Sequence, residues 1–147
     1  MTSTTTTTTT TDSAPDTLTP ETGIALFARW TAMWNGDFSE PERFLDPDFR
    51  IRFGNTPDGA ETDDIHGPAA VVDYIARFRA SYPALHYAMD GTPLVDAGQR
   101  GAATRWYVKG EDASGAGLAK SGIDLIEVRA GRIVTVWSVT GHRRFAA

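Results

Sequence analysis

The sequence contains no cysteine. That absence removes disulfide cross-links, thiolate nucleophiles and cysteine-based metal sites together. Histidine is nearly as scarce. His66, His86 and His142 are the only three, far apart and without the close spacing by which imidazoles on one element grip a metal. No metal or other cofactor is therefore expected. Basic residues are in deficit, with 14 Lys and Arg against 19 Asp and Glu and a net charge of -5, so the basic face that nucleic acid requires is missing. No apolar run approaches the roughly 20 residues of a membrane-spanning helix. No basic segment leads into an apolar one near the start, so no secretory leader is expected and the cytoplasm is the default location.

What is present suits one globular domain. The chain has 147 residues, 41% of them hydrophobic and 22% charged, enough for one well-formed core. Residues 1–17 stand apart. Thr4 to Thr11 is an unbroken run of threonine, with no apolar pattern to offset the entropy of ordering it, and it reads as a disordered tail. Residues 18–147 read as a single domain.

That domain opens with helix signals. Thr19 suits an N-cap, Pro20 the first helical position and Glu21 the positive end of the dipole. Ile24, Phe27, Thr31 and Trp34 recur at helical spacing, Trp30 and Met33 widen the stripe, and Asn35-Gly36 stops it. Ser39-Glu40-Pro41-Glu42 has the form of a capping box and predicts a short second helix through Leu45. Phe49, Ile51 and Phe53 alternate with Arg50 and Arg52, as in a half-buried strand, and a polar loop follows from Gly54 to Asp64. Gly67-Pro68 starts a third helix with Val71, Ile75, Phe78 and Tyr82 on one face, and Pro83 ends it. Strands then run in a meander. Leu85 to Asp90 continues past a kink at Gly91-Thr92-Pro93 to Leu94-Val95. Ala102 to Lys109 comes next, then two long strands between Lys120 and Val139 that turn at Ala130-Gly131. The order predicts an α+β fold, a curved antiparallel sheet wrapped around three helices as a cone with an apolar mouth.

One residue is out of place in that pattern. Asp124 lies among Ile123, Leu125 and Ile126, where a carboxyl is either solvated on the outer face or held in a pocket. Burial among Ile and Val would raise its pKa towards values useful for proton transfer. If it points inward, Ile126 and Val128 accompany it. Arg105 and Tyr107 share one face of the neighbouring strand, and Trp106 and Val108 share the other; alternation alone leaves open which is inward. Both faces carry apolar side chains, so the outer one is expected to be covered, most simply by a second copy of the chain.

The order of elements, with Ser121-Gly-Ile-Asp-Leu-Ile-Glu-Val-Arg-Ala-Gly-Arg-Ile-Val-Thr-Val-Trp137, resembles the SnoaL-like polyketide cyclase branch of the nuclear transport factor two-like superfamily. Arg29-Trp30, Trp34-Asn35-Gly36-Asp37, Phe44-Leu45-Asp46-Pro47-Asp48-Phe49, Tyr82-Pro83-Ala84-Leu85 and Thr104-Arg105-Trp106 are similar too, so the resemblance spans roughly Thr19 to Phe145. By this resemblance, the helix-one tyrosine of ketosteroid isomerases falls at Trp30, their base near Phe53, and their second acid at Asp124. In limonene-epoxide-hydrolase relatives the catalytic arginine matches Arg105, and the two aspartates fall at Tyr107 and near Val139.

The resemblance implies a cofactor-independent cyclase or isomerase acting on an apolar, polyketide-like small molecule, in secondary metabolism such as antibiotic biosynthesis. Asp124 would handle the proton, with Tyr107 and Arg105 as polarising donors. Trp30, Phe53, Tyr74, His86, Met89 and Trp137 would form the substrate wall. It also implies a homodimer through the sheet. Asn, nearly isosteric with Asp, is expected at position 124 to leave the fold intact. A non-catalytic small-molecule-binding module of the same fold is the competing reading.

Overall fold

The computed structural model describes residues 17–55 and 60–146. All but the last residue of the expected tail lies outside them.

The first helix, α1, spans Pro20–Trp34 and is capped as its sequence demands. The Thr19 hydroxyl accepts from the backbone N–H of Thr22 at 3.1 Å, which satisfies one of the donors a helix start leaves free. Its buried stripe runs through Leu26, Phe27, Trp30 and Met33, with Ile24 at the exposed edge. The expected second helix is only a 3-10 turn, Pro41–Arg43. Its capping box does not form. Arg29 donates to the carboxylate of Asp37 and to the Ser39 carbonyl, and the Ser39 backbone N–H donates to Asp37 rather than capping anything. Leu45 and Asp46-Pro47, expected to end that helix, instead begin strand β1, Leu45–Phe53. A single helical turn, α2, occupies Ala60–Asp63, and the long helix α3 spans Gly67–Ser81.

The remaining strands are β2 His86–Met89, β3 Leu94–Asp96, β4 Gly101–Glu111, β5 Gly117–Arg129 and β6 Arg132–Thr140. They form one curved, unclosed sheet in the order β1-β6-β5-β4-β2, with β3 also paired to β4. Both β2 and β3 pair with β4, so the kink at Gly91-Thr92-Pro93 interrupts what is in effect one edge. The pairing of β1 with β6 is parallel, a long-range contact that no local signal announces. Ala130 and Gly131 both take positive φ, 49° and 77°, as a two-residue hairpin turn requires. The segment after β6 does not fray. Ser121 on β5 receives the backbone N–H of Gly141 on its carbonyl and that of Phe145 on its hydroxyl.

The α1 and α3 helices fill the concave side of the sheet. Phe27, Met33, Phe49, Ile51, Val71, Ile75, Ile126, Ile133 and Val136 are fully buried between these layers, each worth about 1.5–3 kcal/mol in transfer terms for the larger side chains. Among the described residues no helix is long and apolar enough to cross a membrane.

Candidate functional site

Strand alternation, now anchored by register, says which faces point in. Thr104, Asp124 and Ser138 lie directly opposite one another on β4, β5 and β6, and all three are buried on the concave face. A bulge sets the phase of β6. Val128 pairs with Ile133 and Glu127 with Thr135, which leaves Val134 unpaired between them. Without that extra residue Trp137, not Ser138, would point at Asp124.

The carboxyl of Asp124 is held from two sides. The indole N–H of Trp30, on α1, donates to Oδ2 at 2.8 Å. The indole N–H of Trp106, on β4, donates to Oδ1 at 2.8 Å. The Ser138 side chain adds a third hydrogen bond. Burial pushes the Asp124 pKa above the ordinary carboxyl value, and these three hydrogen bonds pull against that shift without cancelling it. Trp106 lies flat over its cross-strand partner Gly122, where a Cβ would overlap the indole; only glycine leaves it room.

Beyond Trp106 the cone opens into a cavity of about 610 Å³. Its inner wall is aromatic: Trp34, Phe53, Tyr74, Phe78, Tyr87 and Trp106. Its polar groups, including Asn55, Lys120, Thr140 and His142, are contributed by loop and strand-end positions. Asp124 does not line this cavity. It faces a gap of about 20 Å³ shared with Trp34, Tyr87, Thr104 and Trp106, so one aromatic layer separates the acid from the cavity.

The sequence-predicted residues divide accordingly. Phe53 and Tyr74 line the cavity. Trp30 is buried against Asp124 as a hydrogen-bond donor rather than as ligand wall. Arg105 and Tyr107 occupy the outer face, because Thr104 and Trp106 take the inner one. There the Arg144 guanidinium stacks 4.0 Å from the Tyr107 ring centre, and neither residue can polarise a ligand in the cavity. Trp137 is also on the outer face, paired with exposed Leu125. His86 is exposed opposite Lys109, and Met89 packs against the core without lining the cavity.

Two residues that the sequence reading passed over matter more. Trp106 was legible only once β4 and β5 were in register, since Thr104 pairs with Asp124 and alternation then turns Trp106 inward. Tyr87 is the inward neighbour of His86. Burial, with smaller contributions from Tyr74 and Asp124, raises its phenol pKa, and Arg79 opposes the shift.

The cone-shaped sheet with an aromatic cavity over a buried acid defines an α+β cone protein. The family model of the SnoaL-like domain matches residues 25–136, and the chain belongs to that family. Among solved structures it is similar to a SnoaL-like polyketide cyclase from Agrobacterium tumefaciens, with 16% identity over 79% of this chain and 88% of that one and a TM-score of 0.63. A provisionally assigned SnoaL-like polyketide cyclase from Jannaschia sp. CCS1 is 14% identical over 89% of this chain and 91% of that one, with a TM-score of 0.68. A provisionally assigned isomerase from Bacillus subtilis is 22% identical, covering 84% and 90%, also at 0.68. At these identities the likeness establishes the fold. No curated protein sequence matches the chain significantly.

The hydrogen-bond geometry adds a stability cost to the expectation that Asn leaves the fold intact. Both carboxyl oxygens accept an indole N–H, and an indole can only donate. Whichever way the amide of an asparagine placed there turns, its NH2 faces a donor. Asp124→Asn is therefore expected to cost about 1–3 kcal/mol while leaving the fold recognisable by circular dichroism. Equilibrium urea unfolding of both proteins measures this, and equal stabilities would contradict the two-indole arrangement.

Proposed function

We propose that this protein is a cofactor-independent cyclase or isomerase that acts, in the cytoplasm, on an apolar polyketide-like molecule of secondary metabolism. The observation that carries the reading is the aromatic cavity of about 610 Å³ closed at its inner end over a buried carboxyl with a raised pKa. Ligand sites of this size commonly combine apolar walls with a few placed polar groups. The provisional cyclase and isomerase assignments of fold neighbours point the same way.

The geometry favours one mechanism within this reading. Asp124 stands behind Trp106 and Tyr87, so it acts on a ligand through the aromatic layer rather than by direct contact. Its carboxyl fixes the indole that floors the cavity. The walls then fold a flexible chain into the conformer that closes, and orientation alone can supply several kcal/mol of the barrier. The same sequestration supports a second reading, a binding module without turnover.

Single-turnover kinetics on linear poly-β-keto thioesters separates the two. Wild type is expected to accelerate ring closure over buffer. Phe78→Ala, which removes cavity wall, should slow it at least about tenfold, and Asp124→Asn about tenfold or less. Binding with no acceleration would favour the module, and a loss of about 10² or more on Asp124→Asn would restore direct proton transfer.

We also propose a homodimer through the outer face of the sheet. Ile123 and Val139 form one cross-strand pair there and Leu125 and Trp137 another, with exposures of 47%, 55%, 44% and 41%. Four large apolar side chains in a square form the kind of patch that marks an interface. Light scattering should give twice the chain mass at micromolar concentration, and Leu125→Glu with Trp137→Glu should halve it. A monomeric wild type would exclude the dimer.

A further inference from the structure

The cavity contains a hydroxyl with nothing to do. Tyr87 sits on β2 with its ring 5.3 Å from that of Trp34 and 5.7 Å from that of Trp106. It lines both the large cavity and the small gap beside Asp124. Its backbone is fixed with unusual completeness for an edge strand. The Asn35 side chain donates from Nδ2 to the Tyr87 carbonyl and accepts the Tyr87 N–H on Oδ1, both at 2.8 Å. The end of α1 thereby satisfies the groups that β2 leaves open and fixes where the Tyr87 ring can stand. Arg79 tightens the same corner, donating to the carbonyls of Trp34 and Leu85 at 2.8 Å and 3.1 Å.

The phenol that this framework positions makes no hydrogen bond to any other described residue and opens to the cavity from a half-buried position on its wall. Of the neighbouring donors, the Trp106 N–H is committed to Asp124, and Tyr74 has an interaction of its own. At the mouth, one carboxyl oxygen of Asp112 accepts from Ser114 and Ala116. A hydroxyl that faces a cavity with no protein partner is available to bond a ligand there.

We infer that Tyr87 is the residue that touches the reacting ligand, donating its hydroxyl hydrogen to a carbonyl or enolate oxygen of a planar, apolar molecule held between Trp34, Trp106 and Phe78. This rests on the reading of the cavity as a small-molecule site, and it places the polar contact on β2 instead of on Arg105 and Tyr107. Of the aromatic layer between Asp124 and the cavity, only Tyr87 can both donate and accept, since indoles donate only. It can therefore stabilise oxygen charge in the cavity while lining the small gap beside the buried acid.

Two probes of nearly the same shape test this: 2-acetylnaphthalene, which carries one acceptor oxygen, and 2-ethylnaphthalene, which carries none. Quenching of Trp34 and Trp106 fluorescence reports binding. Wild type is expected to bind both. Tyr87→Phe, folded by circular dichroism, should weaken the ketone roughly three- to tenfold and leave the hydrocarbon unchanged. Equal effects on both probes, or none on either, would overturn the role of Tyr87 and leave the cavity reading standing. Failure of wild type to bind either probe would overturn both. If Tyr87→Phe does not fold, the carbonyl stretch of the ketone bound to wild type decides. A shift to lower frequency than in hexane supports the donor, and an unshifted band overturns it.

Discussion

Two indole N–H groups on one buried carboxylate hold the interior of this protein together. Trp30 approaches Asp124 from the helix layer and Trp106 from the neighbouring strand, at 2.8 Å each. An indole donor buried without an acceptor is costly, and so is a buried carboxyl without donors. Each group needs the other two, so α1, β4 and β5 are fixed relative to one another through a single side chain. Other features serve this contact. Gly122 keeps the space that the Trp106 ring occupies. The bulge at Val134 brings Ser138 rather than Trp137 to the acid. Asn35 fixes Tyr87, which packs on the other side of Trp106.

The same contact shapes the chemistry available. A carboxyl in open contact with a ligand exchanges protons freely. One whose two oxygens already accept indole hydrogens, behind an aromatic layer, is better suited to positioning those rings and to setting the potential around Tyr87. Burial raises its pKa while the donors lower it, and that balance keeps a charge change possible without making it direct. The cavity in front has an aromatic inner wall, with polar groups at loop and strand-end positions.

Much of the fold was legible because its local signals agree. Thr19-Pro20 and Asn35-Gly36 bracket α1, Gly67-Pro68 and Pro83 bracket α3, and Ala130-Gly131 turns the last hairpin. The Asp124 anomaly in an apolar run marked the buried carboxyl that both indoles share. What could not be read depended on register. The loop between β4 and β5 does not announce their register, so alternation leaves two equal choices for which β4 residues face Asp124. The bulge at Val134 shifts the phase of β6, which strict alternation cannot see. The capping box at Ser39 failed because Asp37, two residues earlier, takes both the backbone N–H and the hydroxyl of Ser39. The parallel pairing of β1 with β6 is purely tertiary.

The central claim, that Trp30 and Trp106 share the Asp124 carboxyl, is most directly read from the indole N–H resonances of the chain's four tryptophans. In a hydrogen-exchange NMR experiment, the Trp30 and Trp106 indole protons should exchange far more slowly than the indole proton of free tryptophan. In Asp124→Ala both should lose that protection together. Exchange at Trp106 as fast as in free tryptophan, or protection that survives removal of the carboxyl, would contradict the account.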